Sequence, residues 1–224
     1  MNVIVEQAIY EMNLLANNVP DGKHVVTGDI RKLSAKLYRE IKDKTIDNVF
    51  FLCEELLEQH SWGLGVIAFD WAYKVKAQYN EDTYDIFYSW LKKYVRGWGD
   101  CDDFCTNAFG ELLRRQKSLF SKIKKWTKDE DFWVRRASAV ILIPAILHDD
   151  YDGIDPLIIS DLLMSDKHDL VQKGYGWMLK SFSQVDKDAV TNYLIDNYVQ
   201  MPRTAYRYAL EKYDKEMRKE LMSL

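Results

Sequence analysis

The chain is sparing with the residues that punctuate structure. Its 224 residues include 4 Pro, 10 Gly and 3 Cys. So few prolines and glycines leave little room for the many turns of an all-β protein, and they favour long helices. An odd and small number of cysteines supplies no disulfide framework and fits a reducing compartment. No run reaches the ~18 consecutive apolar residues of a membrane span. The first stretch, MNVIVEQAIYEMNLLANN, carries acids and has no basic flank ahead of an apolar core, which argues against a signal peptide. Positive charge is also missing overall: the net charge is −4. A nucleic-acid partner would therefore need cations gathered on one face. No Walker loop, Rossmann fingerprint or nucleophile elbow occurs. Cys101 and Cys105 stand one helical turn apart without a second pair, and His24, His60, His148 and His168 are scattered. Neither pattern makes a zinc site, so neither metal nor cofactor is expected.

What the chain does have is apolar residues at helical spacing. Hydrophobic residues make up 47% and charged residues 29%, the balance of a soluble globular protein. In IRKLSAKLYREI, Ile30, Leu33, Leu37 and Ile41 share one helical face, with Asp29 placed as a cap. Comparable segments follow at 46–59, 64–79, 83–95, 100–115, 131–147, 155–164, 168–182, 186–198 and 202–213, separated by short polar loops such as TKDED and SQVDKD. Pro144 predicts a kink or break before residue 144.

A longer period runs through these helices. Trp62, Trp98, Trp133 and Leu170 each open a segment, at intervals of 36, 35 and 37 residues. A period near 36 with paired helices marks a helical solenoid, most like HEAT-type repeats. The expected fold is all-α: a right-handed solenoid of about six such repeats, one domain over residues 1–224, with a concave face.

Counted from those landmarks, Asp102, Arg136, Lys173 and Trp177 fall at offsets that share one helix face. Each also has a plain structural reading. Position 177 corresponds to Phe69, Cys105 and Val140 in the other units and so reads equally as a core position, whereas Asp100, Asp102 and Asp103 sit where carboxylates cap helix N–H groups. Two of these three acids are expected to cap, and one of Arg135 and Arg136 to lie on a solvated face.

Several stretches carry a resemblance. GDIRKLSAKLYREI, WGDCD, FWVRRASAV, QKGYGWML and MPRTAYRYALEKY occur in order from about residue 28 to 213. Together they resemble the DNA alkylation repair proteins of the AlkD type, bacterial alkylpurine DNA glycosylases built from HEAT-like repeats. The resemblance implies that Asp102 is the catalytic carboxylate and that Trp98 and Trp177 are the aromatic walls around the lesion. It makes Arg136 the cation on the backbone phosphate, and Arg135 is not the matched residue. The TGDIRKL start departs from relatives that more often carry a proline before the acid. Some relatives lack the four-residue constellation and bind DNA without excising bases; this sequence keeps it.

The chemistry suits those residue types. A purine alkylated at N3 or N7 is cationic and already a good leaving group, so cleaving its glycosidic bond needs no general acid. An ionised carboxylate can stabilise the oxocarbenium-like sugar and position the attacking water. Trp98 and Asp102 are i and i+4, and an indole face attracts cations at ~0.5–2 kcal/mol. The family is thought to hold its lesion without flipping it into a closed pocket. The expected DNA contacts are Arg136, Lys173, Lys180, Arg203 and Arg207, giving salt-sensitive, sequence-independent affinity, with the acids gathered on the opposite face. The expected protein is a monomeric, monofunctional hydrolase of base excision repair, acting in the bacterial cytoplasm at the nucleoid on double-stranded DNA with alkylated bases. The rival readings are a non-catalytic DNA-binding repeat protein that recognises damaged or branched DNA, and a peptide-binding solenoid.

Overall fold

The computed structural model describes residues 1–20 and 23–224. Its described residues form α-helices, short 3-10 segments and turns, with no strand. The chain packs as two compact units, Met1–Ala108 and Phe109–Leu224. The first holds α1 (Val3–Asn17), α2 (Thr27–Glu40), α3 (Ile46–Leu57), α4 (Trp62–Lys74), α5 (Thr83–Tyr94) and α6 (Trp98–Thr106). Next, α7 (Ala108–Arg115) starts at the boundary residue. The second unit holds α8 (Phe120–Trp126), α9 (Phe132–Val140), α10 (Ile143–Leu147), α11 (Pro156–Leu163), α12 (Asp169–Phe182), α13 (Lys187–Asn197), α14 (Arg203–Ala209) and α15 (Lys215–Met222).

Within the first unit α4 packs on α2, α3 and α6; within the second, α12 packs on α9, α11 and α14. Helices stacked in rows are the arrangement of a helical solenoid. The period has a structural meaning: Trp62 and Trp98 are the first residues of α4 and α6, and Trp133 and Leu170 the second residues of α9 and α12.

Burial explains why α4 is apolar on nearly every face. It is sandwiched, so Leu64, Val66, Ile67, Phe69 and Trp71 are all buried. Phe104 of α6 stacks on Phe69 at 4.3 Å between ring centroids and meets Phe87 of α5 edge-on at 5.2 Å. Burying one such side chain is worth about 1.5–3 kcal/mol. On α6 the core side is Cys101, Phe104 and Cys105. Both thiols are free and buried. That burial turns Trp98, exposed, and Asp102, partly exposed, away from the core. In the second unit, Gly176 is where α12 meets α14: a Cβ there would lie 2.7 Å from the Ala205 carbonyl oxygen and 2.7 Å from the Tyr208 Cβ.

Local details differ from the apolar spacing. The segment expected over 64–79 ends at Lys74 and continues as a 3-10 turn, Lys76–Gln78. The segment expected over 100–115 breaks at Asn107, whose φ of −120° and ψ of −100° are not helical. The segment expected over 131–147 also breaks, and Pro144 sits in the first turn of the resumed helix, as its missing N–H dictates. Asp29 is not the cap of α2. Val26 holds that position, and Asp29 lies within the first turn, 2.8 Å from the Lys32 Nζ. Helices α1, α8 and α15 are additions to the segments read from the sequence. No described helix is long and apolar enough to cross a membrane.

Candidate functional site

In the first unit, the start of α6 opens onto a cleft of about 990 Å³ whose lining includes Trp62, Trp98, Asp100, Asp102, Asp103 and Arg31. The three acids of WGDCDD do different work. Asp100 is the third residue of α6, and its carboxylate reaches back to accept from the backbone N–H of Arg96 at 3.1 Å, satisfying a donor at the helix entry. Burial pushes its carboxyl up, while the Arg96 and Gly97 amides pull it back down.

Asp103 does not cap. One of its oxygens accepts from Arg31 of α2 and, at 3.3 Å, from the Asn107 amide. Its other oxygen is buried and has no hydrogen-bond partner among the described residues. Burial raises its carboxyl to about 6, with Arg31 opposing and the neighbouring Asp70 and Asp100 charges adding to the rise. Arg31 also lies 3.6 Å from Asp70, which holds Ser34 and Lys74. Asp103, drawn into an ion pair from a neighbouring helix, is not one of the acids that cap.

Asp102 is partly buried on the cleft side, and its backbone carbonyl accepts from the Thr106 hydroxyl at 2.7 Å. Trp98, one turn earlier, is 65% exposed.

The remaining sequence candidates lie in the second unit. Arg136 of α9 is buried, 5% exposed, and its guanidinium donates to the Leu170 carbonyl at the start of α12. Gly174 makes the room: a Cβ there would meet the Arg136 Cγ at 3.1 Å. Arg135 donates to Asp166 at 2.6 Å and to the Asp129 carbonyl at 2.8 Å. Arg136 is drawn onto the start of α12, whereas the part-exposed Arg135 is held by Asp166 and by the loop that precedes its own helix. Trp177 is partly exposed, unlike Phe69, Cys105 and Val140 at the equivalent repeat position, which are buried.

Lys173 pairs with Asp169, and that hydrogen bond raises its ammonium pKa. Lys180 sits 2.8 Å from Glu211 and near the rings of Trp177 and Tyr208, at 6.0 and 5.9 Å. Arg203 donates to the Met222 carbonyl at 2.8 Å. Arg207 is exposed in a cleft of about 260 Å³ that also takes in Lys173, Tyr208 and Arg218. Acids are not segregated from these cations: Asp169 and Glu211 line the same cleft.

Sequence reasoning missed the Arg31–Asp103 pair, whose residues stand 72 apart in the chain. It also missed Trp62 as a cleft residue. In the sequence Trp62 is visible only as a repeat landmark.

Comparison with known proteins agrees with this architecture. A solved structure described as a predicted DNA alkylation repair enzyme from Enterococcus faecalis is similar to this chain with a TM-score of 0.65 at 16% identity, covering 95% of each chain. At that identity the likeness speaks for the fold. A search of curated proteins finds no match. The family model described as DNA alkylation repair enzyme matches residues 24–213. That span takes in both units' candidate residues, and the chain belongs to the DNA alkylation repair enzyme family.

Proposed function

We propose that the protein is a monofunctional DNA glycosylase that hydrolyses the N-glycosidic bond of cationic N3- or N7-alkylated purines in double-stranded DNA. The observation that supports this reading most is the pairing, on one cleft of the first unit, of the exposed Trp98 indole with the Asp102 carboxylate one helical turn later.

Asp102 takes the catalytic role because it lines the cleft one helical turn after Trp98 and is the carboxylate that the family resemblance assigns. The reaction calls for an ionised carboxylate at neutral pH, beside a cationic base and a water. Asp103 is held by Arg31 and pushed up to about 6 by burial. Asp100 is bonded to the backbone of its own helix entry. In the proposed reaction Asp102 stays ionised and faces the anomeric carbon as the bond to the departing purine lengthens. The purine leaves with the bonding electron pair, which neutralises its charge. Asp102 accepts the proton of the water that adds to the sugar, and an abasic site remains. No lysine is required, because no imine forms.

Trp98 holds the cationic base through its π face, worth ~0.5–2 kcal/mol. The family resemblance assigns Trp177 and Arg136 to the same reaction, Trp177 as the other aromatic contact and Arg136 as the phosphate partner. Lys173, Lys180, Arg203 and Arg207 serve the DNA backbone in this reading, with the ion pairs to Asp169 and Glu211 exchanged for phosphate. The working site is the bacterial cytoplasm, with a single copy acting on one duplex. The test is release of methylated purines from alkylated DNA, read as heat-labile abasic sites. Wild-type protein produces them and Asp102→Asn does not, although it still binds the duplex. Binding without any abasic product from the wild type would instead favour a non-catalytic damage binder.

A further inference from the structure

Of the tryptophans in the first unit, Trp71 and Trp90 behave as core residues. Both are fully buried, and both indole N–H groups are bonded, to the Ser34 carbonyl at 3.2 Å and to Glu54 at 2.8 Å. Trp62 is different. It is 41% exposed, it opens α4 as Trp98 opens α6, and it lines the same cleft as Trp98 and Asp102. Its indole crosses the first turn of α6 at Gly99. A Cβ at residue 99 would lie 2.9 Å from the Trp62 Nε1 and 3.4 Å from its Cδ1. Only a residue without a side chain lets the ring rest there. His60, which also lines the cleft, precedes α4 with a φ of +49°, a conformation that costs a side-chain-bearing residue free energy.

A large, partly exposed aromatic ring, seated over a glycine beside the proposed catalytic carboxylate, is poorly explained by packing. We infer that Trp62 is a further substrate-contacting residue, a second aromatic surface of the first unit for an alkylated, cationic nucleotide. The inference rests on the proposed function and adds to it a residue that the family resemblance does not assign. Trp98 and Trp62 then offer two π faces to one positively charged base. An indole favours a cationic base over a neutral one, because the ring quadrupole attracts the charge. Trp62 thereby contributes to the preference for the lesion, and little to affinity for undamaged DNA, which phosphate contacts dominate.

The experiment uses the full chain and a duplex carrying one 7-methylguanine, with an undamaged duplex of the same sequence as control. Single-turnover base release and binding to both duplexes are measured for wild type, Trp62→Ala, Trp62→Phe and Gly99→Ala, with thermal melts of each variant. Trp62→Ala is expected to slow release and to reduce the preference for the methylated duplex by roughly 3- to 30-fold, the range of one cation–π contact. Affinity for the undamaged duplex stays put. Trp62→Phe restores most of the loss. Gly99→Ala, which keeps the indole but pushes it off its seat, falls in between. Equal release and equal preference in wild type and Trp62→Ala overturn the inference. So does a loss that Trp62→Phe fails to restore while its melting temperature stays at the wild-type value. If wild-type protein releases no base, the proposed glycosylase activity is what fails. The binding preference then decides on Trp62 alone, and a Trp62→Ala variant that keeps the wild-type preference, or a wild type that has none, overturns it.

Discussion

Arg31 of α2 and Asp103 of α6 form an ion pair that leaves one oxygen of the carboxylate buried and without a hydrogen-bond partner among the described residues. The pair ties the second helix of the first unit to the helix that carries Trp98 and Asp102. Burial pushes Asp103 up to about 6, against the opposing charge of Arg31.

The burial of Asp103 makes stability depend on pH in a defined direction. The folded-state pKa of Asp103 lies above its ordinary value of 3.8. Between those values the folded protein binds more protons at this site than the unfolded chain does, so the contribution of Asp103 to stability falls as pH rises. Asp103→Asn removes the titration. The melting temperature of the variant, taken relative to wild type, is expected to climb from pH 4 to pH 7. A difference that is flat across that window contradicts the assigned burial of this carboxyl.

The sequence shows part of this arrangement plainly and hides the rest. The landmark tryptophans are legible because each begins a helix, and a helix start repeats whenever a stacked unit does. Pro144 is legible because a missing N–H acts locally. Asp131 and Asp186, which cap α9 and α13, lie in the polar loops TKDED and SQVDKD. The Arg31–Asp103 pair is not legible. Nothing local distinguishes an aspartate that caps its own helix from one drawn to an arginine on another helix. The burial of Arg136 escapes for a related reason. It depends on Gly174, a residue on a different helix, leaving a groove for the side chain. Helix α15 is hidden because its sequence is mostly charged, and it docks through few apolar residues, Leu221 among them.

Gly176 predicts a stability effect unrelated to the cleft. The atoms that a Cβ would strike include the Ala205 carbonyl oxygen, which belongs to the α14 backbone and cannot swing aside. Gly176→Ala is expected to lower the unfolding free energy by about 1–3 kcal/mol, the usual range for overpacking. Denaturant midpoints measure it. An unchanged midpoint would mean that α12 and α14 do not approach so closely.

Arg207 predicts a salt effect. It is exposed, lies in the cleft with Lys173 and Arg218, and has no ion-pair partner among the described residues. If it meets a phosphate, Arg207→Ala reduces the slope of log affinity against log salt by about 1 and weakens binding equally across sequences. Lys180, already paired with Glu211, is expected to change that slope less when replaced by alanine. An unchanged slope for Arg207→Ala removes it from the DNA contacts.

The assignment of chemistry to Asp102 rather than to its neighbour is tested most directly by single-turnover release of 7-methylguanine from a duplex, comparing wild type, Asp102→Asn and Asp103→Asn under equal DNA occupancy. The account predicts that Asp102→Asn slows release by roughly 100- to 1,000-fold, the loss typical of removing a group that stabilises transition-state charge, whereas Asp103→Asn retains most of the activity. Release by Asp102→Asn at the wild-type rate, or its abolition by Asp103→Asn alone, would contradict it.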